Sequence, residues 1–378
     1  MRIAIVSETY PPEINGVALT VRGMVESLKV DHQVSVFRPR QGKDDQPARE
    51  GNLTEHLMPS LPLPRYEGLR FGLPASRRIS KVLDAAPFDA LYISTEGPLG
   101  WSALRSGLKR GIPVLTGFHT RFDQYASHYG IGVAERGVAA YLRRFHNRAT
   151  GTLIPTQELK ADLEDKGYQN VMLLPRAVDT DLFNPSRRSE ALRREWGLDE
   201  DDLAVLYVGR LAAEKNLDLA IRAFENIIAR RPRARFVLVG DGPAREHLAQ
   251  RYPNFIFTGL KLGEDLAAHY ASGDLFVFPS LTETFGNVVL ESLASGVPVL
   301  AFRYAAAAEY IRNGYNGFVA PCSDEEGFVQ NAAMLAELAR ELPDLHTQAR
   351  RCVEHLNPAS VATHLVELFR SFDQELAA

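Results

Sequence analysis

The residues best equipped for chemistry lie in one stretch, Thr282-Glu283-Thr284-Phe285-Gly286-Asn287-Val288-Val289-Leu290-Glu291. It follows the apolar run Leu275-Phe276-Val277-Phe278 and reads as a strand end, a glycine turn and a helix stopped by Gly296, with Pro298 beyond. Glu283 then sits in the turn, and Glu291 lies about two helical turns further on, at about 3.6 residues per turn. The backbone N–H groups of Phe285, Gly286, Asn287 and Val288 open the helix, where donors lack intrahelical partners and the dipole is positive. Two carboxylates beside such a turn suit a ligand that carries both hydroxyls and phosphates. Taken alone, such a pair is more often two solvated helix-end charges, so the other candidates must decide.

Those candidates also stand where apolar runs end. Ala204-Val205-Leu206-Tyr207-Val208 runs into Gly209-Arg210 and reaches Lys215 just before a helical pattern. An arginine fork and a lysine point charge at that place resemble a phosphate cradle. The spacing is not that of the nucleotide-hydrolase loop, which needs two glycines bracketing four residues and a lysine followed by Ser or Thr. The next run, Arg235 to Val239, ends at Gly240-Asp241-Gly242-Pro243, part of a dinucleotide fingerprint without its third glycine. In the first half, His119 follows Pro113-Val114-Leu115-Thr116-Gly117-Phe118, at the carboxyl end of a strand, where open α/β sheets hold ligands. Gly16 stands at the entrance to the first helix, where a ligand can approach the backbone closely. Asp179-Thr180-Asp181 has the look of a divalent-cation site. It falls just before Phe183-Asn184-Pro185, where the halves join, and reads as a linker turn.

Two α/β sets must position these groups. At 378 residues the chain exceeds what one core usually supports, and 45% hydrophobic with 24% charged residues is ordinary for a soluble protein. Strand, loop and helix patterns repeat along both halves. Residues 1–180 are assigned to a first domain and 181–358 to a second. The apolar spacing of the last stretch, 359–378, would let it pack on either half, and it is assigned to the first. The net charge of −4 argues against a nucleic-acid partner. Cations gather in the first half at Arg38, Arg40 and Lys43, at Arg65, Arg70, Arg77, Arg78 and Lys81, and at Arg143, Arg144 and Arg148. Such clusters suit a solvated face or an anionic membrane surface. Interleaved Leu, Tyr, Phe and Arg from Leu61 to Pro74 suit a packed loop or a membrane boundary. Two cysteines point to a reducing, cytoplasmic location, and no run of about 20 apolar residues is present to span a bilayer.

In this order and combination, Asn15-Gly16, His119-Thr120, Gly209-Arg210 with Lys215, Gly240-Asp241-Gly242-Pro243 and the Glu283/Glu291 pair around Phe285-Gly286 resemble retaining glycosyltransferases of family 4. The resemblance implies an α/β GT-B fold, with two Rossmann-like doubly wound parallel-sheet domains facing across a cleft that closes on the substrate. It implies a nucleotide-diphosphate sugar as co-substrate, with no metal and no other cofactor. Arg210 and Lys215 would neutralise the diphosphate, Glu283 would contact the donor sugar and Glu291 the ribose, and Gly259 with Lys261 would border the base. Gly16 and the N–H groups of Phe285 to Val288 would add backbone donors. His119 would lie beside the reacting sugar. Transfer would proceed on one face through an oxocarbenium-like state, so Glu283 is not a nucleophile of the kind retaining glycosidases use. The start Asn15-Gly16-Val17 and the tract from Arg65 to Pro74 are similar to lipid-directed mannosyl-, glucosyl- and sulfoquinovosyl-transferases of bacteria. That implies an α-linked hexose moved to a membrane lipid such as diacylglycerol by a peripheral enzyme on the inner face of the membrane. The alternatives are a polysaccharide or soluble acceptor, a nucleotide-sugar-binding protein without activity, and a GT-B epimerase or phosphorylase. No pyridoxal-lysine signature favours the last of these.

Overall fold

The computed structural model describes residues 1–13, 15–62, 70–119, 132–283, 285–342 and 344–377. The chain divides into two compact units, Met1–Ala177 with Pro358–Ala378, and Val178–Asn357.

The first unit is built on strands β1 (Arg2–Val6), β2 (Gln33–Pro39), β3 (Arg49–Glu50), β4 (Leu53–Met58), β7 (Ala90–Ile93), β8 (Val114–Gly117), β9 (Gly151–Ile154) and β10 (Val171–Leu173). They form one sheet in the order β10-β9-β8-β7-β1-β2-β4-β3, parallel except for the short β3–β4 pair. β5 (Ser60–Pro62) and β6 (Arg70–Gly72) pair separately and antiparallel. A parallel sheet is covered on both faces, so its strands are apolar on both sides. Ile3 and Ile5 of β1 accordingly pack on one face, with Val21, Met24 and Val25 of the helix Gly16–Leu28. Ala4 and Val6 pack on the other, with Ile79 and Leu83 of the helix Ser76–Ala85 and Leu99 of the helix Pro98–Leu108. The last helix, Pro358–Ala377, places Val361, Leu365 and Phe369 in the cluster that holds Ile3 and Ile5.

Two features of this unit differ from the sequence reading. The region after β2, for which the sequence reading named no strand, contains β4, paired in parallel with β2 over six residues. Its Thr54, Glu55 and His56 gave it none of the apolar continuity of its neighbours. Arg38, grouped with the surface cations, is only 4% exposed. Its guanidinium is held by Asp45 (2.8 Å) and Glu55 (2.9 Å), which makes it an internal tie between β2, β4 and the intervening loop. Arg77, Arg78 and Lys81 do lie exposed on one helix, and residues 63–69, Arg65 among them, fall outside the described residues.

The second unit holds β11 (Ala204–Val208), β12 (Arg235–Val239), β13 (Ile256–Gly259), β14 (Leu275–Phe278), β15 (Val299–Phe302) and β16 (Gly317–Ala320). All run parallel in the order β13-β12-β11-β14-β15-β16. The order reverses between β11 and β14, and the crevice outside the strand ends at such a point is where open α/β sheets bind ligands. Arg210 and Glu283 follow those two strands.

Candidate active site

β11 ends at Gly209, whose φ of 150° is open to glycine, and the chain passes Arg210 into the short turn Ala213–Lys215. Asn216, in the left-handed region, then starts the helix Leu217–Ile228. This geometry turns Lys215 toward β14. Its Nζ donates to Glu283 Oε1 at 2.5 Å, and the Ser280 hydroxyl donates to the same oxygen at 2.9 Å. The Tyr304 hydroxyl fixes the backbone of Glu283 by donating to its carbonyl at 2.7 Å. Lys215 and Glu283 are about four-fifths buried at their side chains, so solvent screens the pair only partly. Arg210 differs. Its side chain is 66% exposed and its ion pair with Glu214, at 3.5 Å, is a surface contact of little energetic weight. The guanidinium is therefore cheap to redirect, while its carbonyl is tied to the Tyr207 hydroxyl at 3.1 Å.

The glycines beyond β12 are explained by packing. A Cβ on Gly240 would lie 1.9 Å from the Gly209 carbonyl oxygen, and one on Gly242 would lie 2.4 Å from that of Leu211. The two loops are joined by Leu211 N–H to the Asp241 carbonyl and Ala244 N–H to the Leu211 carbonyl, both 2.9 Å. Gly240 also donates to the carbonyl of Gly259 at 2.9 Å, which brings the end of β13 to the same place. Lys261 follows between Leu260 and Leu262, which are 69% and 52% exposed.

Gly286 takes a left-handed conformation (φ 86°) and the helix Asn287–Ala294 begins directly after it. Phe285 turns its ring into the core against Tyr310, its carbonyl accepts the Ala306 N–H at 2.9 Å, and Thr284 falls outside the described residues. Asn287 and Val288 are partly exposed in the first turn. Glu291 reaches the buried hydroxyl of Tyr270, which donates to Oε2 at 2.9 Å. Burial pushes the Glu291 carboxyl up to about 7, and the Tyr270 hydrogen bond partly offsets that rise.

In the first unit His119 stands one residue beyond Phe118 at the end of β8, and its Nε2 lies 2.7 Å from the Tyr92 hydroxyl. Gly117 makes this pairing possible, since a Cβ there would fall 2.3 Å from the Tyr92 oxygen and 2.5 Å from His119 Nε2. Burial, with the charge of Arg176 and then that of His146, holds His119 well below the usual histidine range, so the imidazole is neutral at pH 7. Burial likewise pushes the Tyr92 phenol up. Nδ1 is buried with no hydrogen-bond partner among the described residues. His119 and Tyr92 border a mostly apolar pocket with Phe118 and Arg176. Thr120, the next residue of the sequence motif, lies outside the described residues. Gly16 is exposed in the first turn of its helix, which Asn15 caps by accepting the Ala18 N–H at 2.9 Å.

Sequence reasoning missed four partners of these groups: Tyr92, Tyr270, Ser280 and Tyr304. The signal available for the first two was a tyrosine inside an apolar element, whose hydroxyl must find a polar partner once buried. It also missed Glu8, at the end of β1, which accepts the Leu99 N–H at 2.9 Å. Burial pushes this carboxyl up to about 7 in spite of hydrogen bonds from the backbone of Leu99, Gly100 and Gly72. Asp179 is a turn residue, its Oδ1 accepting the N–H groups of Asp181 (3.2 Å) and Leu182 (2.9 Å).

Two parallel-sheet α/β units of this kind are the GT-B fold of glycosyltransferases. Residues 202–337 match the family described as "Glycosyl transferases group 1", and residues 14–182 match "Glycosyltransferase Family 4". Over 356 residues the chain is 33% identical to a GDP-mannose-dependent alpha-mannosyltransferase of Mycobacterium tuberculosis (strain CDC 1551 / Oshkosh), covering 93% of this chain and 92% of that one. It is 29% identical to an alpha-monoglucosyldiacylglycerol synthase of Streptococcus pneumoniae, over 80% of this chain and 71% of that protein. Sucrose-phosphate synthase from Thermosynechococcus elongatus shares the fold, with a TM-score of 0.79 at 20% identity over 99% of both chains. The chain belongs to glycosyltransferase family 4 and is a hexosyltransferase.

Proposed function

We propose that the protein transfers mannose from GDP-mannose, with retention of configuration and without a metal, to a membrane-lipid acceptor. The observation that carries the reading is the buried pairing of Lys215 with Glu283 at the β11/β14 switch point, with Arg210 free to swing in the same loop. As the diphosphate leaves, Lys215 and Arg210 stabilise the charge it gains, the kind of term that usually dominates such catalysis. Glu283, released from Lys215 by the phosphates, accepts hydroxyls of the donor sugar. Glu291 accepts those of the ribose, and the backbone from Gly286 to Val288 completes the donor site. Gly259 and Lys261 border the base, with Gly240 and Gly242 shaping the loops around it. In the first unit, neutral His119 offers Nδ1 to a hydroxyl of the reacting sugar, and Gly16 leaves the first helix open to close approach.

The donor assignment is supported by the names of relatives such as the GDP-mannose-dependent alpha-mannosyltransferase, and the lipid acceptor by that of the diacylglycerol-glucosylating relative. Exposed Arg77, Arg78, Lys81, Arg143 and Arg144 in the first unit suit anionic headgroups, which would hold the enzyme as a peripheral protein on the inner membrane face. No helix among the described residues is long and apolar enough to cross a membrane.

The test is a panel of GDP- and UDP-sugars with total lipid or soluble glycans, followed by nucleotide release and product analysis. GDP release and a mannosylated lipid are expected with GDP-mannose. Donor binding without turnover on any acceptor would overturn the transferase reading, and transfer to soluble glycans alone would overturn the lipid acceptor. Binding to anionic vesicles should weaken as salt rises, and equal binding to neutral vesicles would remove the electrostatic part.

A further inference from the structure

Glu291 is an odd group to leave for ligand binding, because a partly buried carboxylate has two oxygens to satisfy. One is already taken. Tyr270, on the helix Gly263–Ala271, has no exposed surface, and its ring is clamped edge-on by Phe183 (5.7 Å between centroids) and Phe276 (6.0 Å). That clamp fixes the hydroxyl, which donates to Glu291 Oε2 at 2.9 Å.

We infer that Tyr270 is a positioning residue for the donor nucleotide: its clamped hydroxyl holds Glu291 Oε2 so that Oε1 is presented, in a fixed orientation, to the ligand's vicinal hydroxyls. The inference rests on the reading of Glu291 as a ribose-binding group. The physical argument has two parts. A carboxylate with one oxygen pinned loses little further rotamer freedom when the ligand arrives, so less of the binding energy is spent on ordering it. A hydroxyl donated to the charged form also favours ionisation, which burial opposes. The other titratable group acting on Tyr270 is Tyr207 of β11, itself kept neutral by burial and donating its hydroxyl to the Arg210 carbonyl, so Tyr270 is the phenol that acts on Glu291. Tyr270 ionises well above the ordinary tyrosine range because of burial and the neighbouring carboxylate, and so remains a donor throughout the working pH range.

Tyr270→Phe removes one oxygen and keeps every ring contact. The expected result in the full chain is a donor KM raised roughly tenfold with kcat within about twofold, since the lost contact is made equally in ground and transition states. The acid limb of kcat/KM should move up by about one pH unit, because the carboxyl loses its favoured donor. A lower melting temperature with unchanged KM and an unmoved acid limb would mean a structural tyrosine only, and would overturn the inference. Independent of any variant, the ring-carbon resonance of Tyr270 in labelled wild-type protein should shift when GDP is added, and an unmoved resonance at saturating GDP also overturns it. Glu291→Gln separates the two levels. If it leaves GDP affinity unchanged, the ribose reading itself fails. If it weakens GDP while Tyr270→Phe does not, only the positioning role is lost.

Discussion

At the switch point of the second sheet Lys215 and Glu283 face one another as an ion pair, whereas at the end of β8 in the first sheet Tyr92 and His119 meet as two neutral groups. The distances are alike, 2.5 Å and 2.7 Å, but the surroundings set opposite electrical states. Around Lys215 each charge has a partner, and Ser280 adds a donor to the carboxylate. Around His119 burial and the nearby Arg176 disfavour a second positive charge. The difference teaches a division of labour. On the proposed reading, Lys215 would exchange the carboxylate for a phosphate only as the donor's hydroxyls take its place on Glu283, while the exposed Arg210 would move in at small cost. On the same reading, the neutral imidazole of His119 would bind hydroxyls without drawing the diphosphate to itself.

The largest expected effect breaks the charged half of this comparison. Lys215→Met leaves Glu283 with Ser280 alone and removes a cation from the leaving group. Turnover should fall by about two to three orders of magnitude, the range seen when one preorganised stabiliser of transition-state charge is lost. A kcat within threefold of the parent enzyme would show that the pair is merely structural.

A smaller effect comes from the neutral half. Gly117→Ala places a methyl group where the Tyr92 hydroxyl and His119 Nε2 now stand, at 2.3 Å and 2.5 Å, and so separates the two rings. The change should lower kcat by roughly one to two orders of magnitude, within the range for a misplaced catalytic contact. GDP affinity, assigned to the other unit in the proposed function, should be unaffected. Loss of GDP binding in this variant would mean that the two halves are not independent in the way their chemistry suggests.

The pH dependence sharpens the contrast further. Glu291, pushed up to about 7 by burial, accepts ligand hydroxyls with both lone pairs only when ionised, so GDP affinity should fall as pH drops through 7. Below that point the loss approaches about tenfold per pH unit, and Glu291→Gln should flatten it. His119, held well below the histidine range, should contribute no inflection between pH 6 and 8. Titration of GDP binding by calorimetry in the parent and in Glu291→Gln measures both. A pH-independent affinity in the parent would contradict the assignment of Glu291.

How much of this could be seen in the chain alone follows the range of the interactions. The apolar runs that became β11, β12, β14 and β15 announce buried parallel strands because both faces must be apolar, and the turn residues after them mark the ligand side. β4 escaped notice because the three polar residues Thr54, Glu55 and His56 interrupt its apolar run, and Arg38 because its partners, Asp45 and Glu55, lie 7 and 17 residues away. The same applies to Tyr92 with His119 and Tyr270 with Glu291, which are 27 and 21 residues apart. No local periodicity records such pairings. Gly240 and Gly242 read as fragments of a phosphate fingerprint, yet the contacts that demand glycine are with the backbone of Gly209 and Leu211.

The smallest expected effect is none at all, and it bears on what neutralises the leaving group. If Lys215 and Arg210 supply that charge, chelation by EDTA should leave turnover unchanged, and added Mg²⁺ or Mn²⁺ should not raise it. The Asp179-Thr180-Asp181 segment, with its cation-like spacing, argues the same way from its own contacts. Asp179 Oδ1 is occupied by two backbone N–H groups, and the Phe183 N–H donates to the Asp179 carbonyl at 2.8 Å, so the segment is a closed turn. Asp179→Asn keeps the side-chain oxygen that accepts both N–H groups. It should change the melting temperature by no more than a few degrees, as expected for a weakened charge-assisted turn. Activity should stay at the parent level. EDTA-sensitive turnover restored by a divalent cation would transfer the neutralising role from the two cations to a metal, and with it would go the distinction between a charged unit and a neutral one.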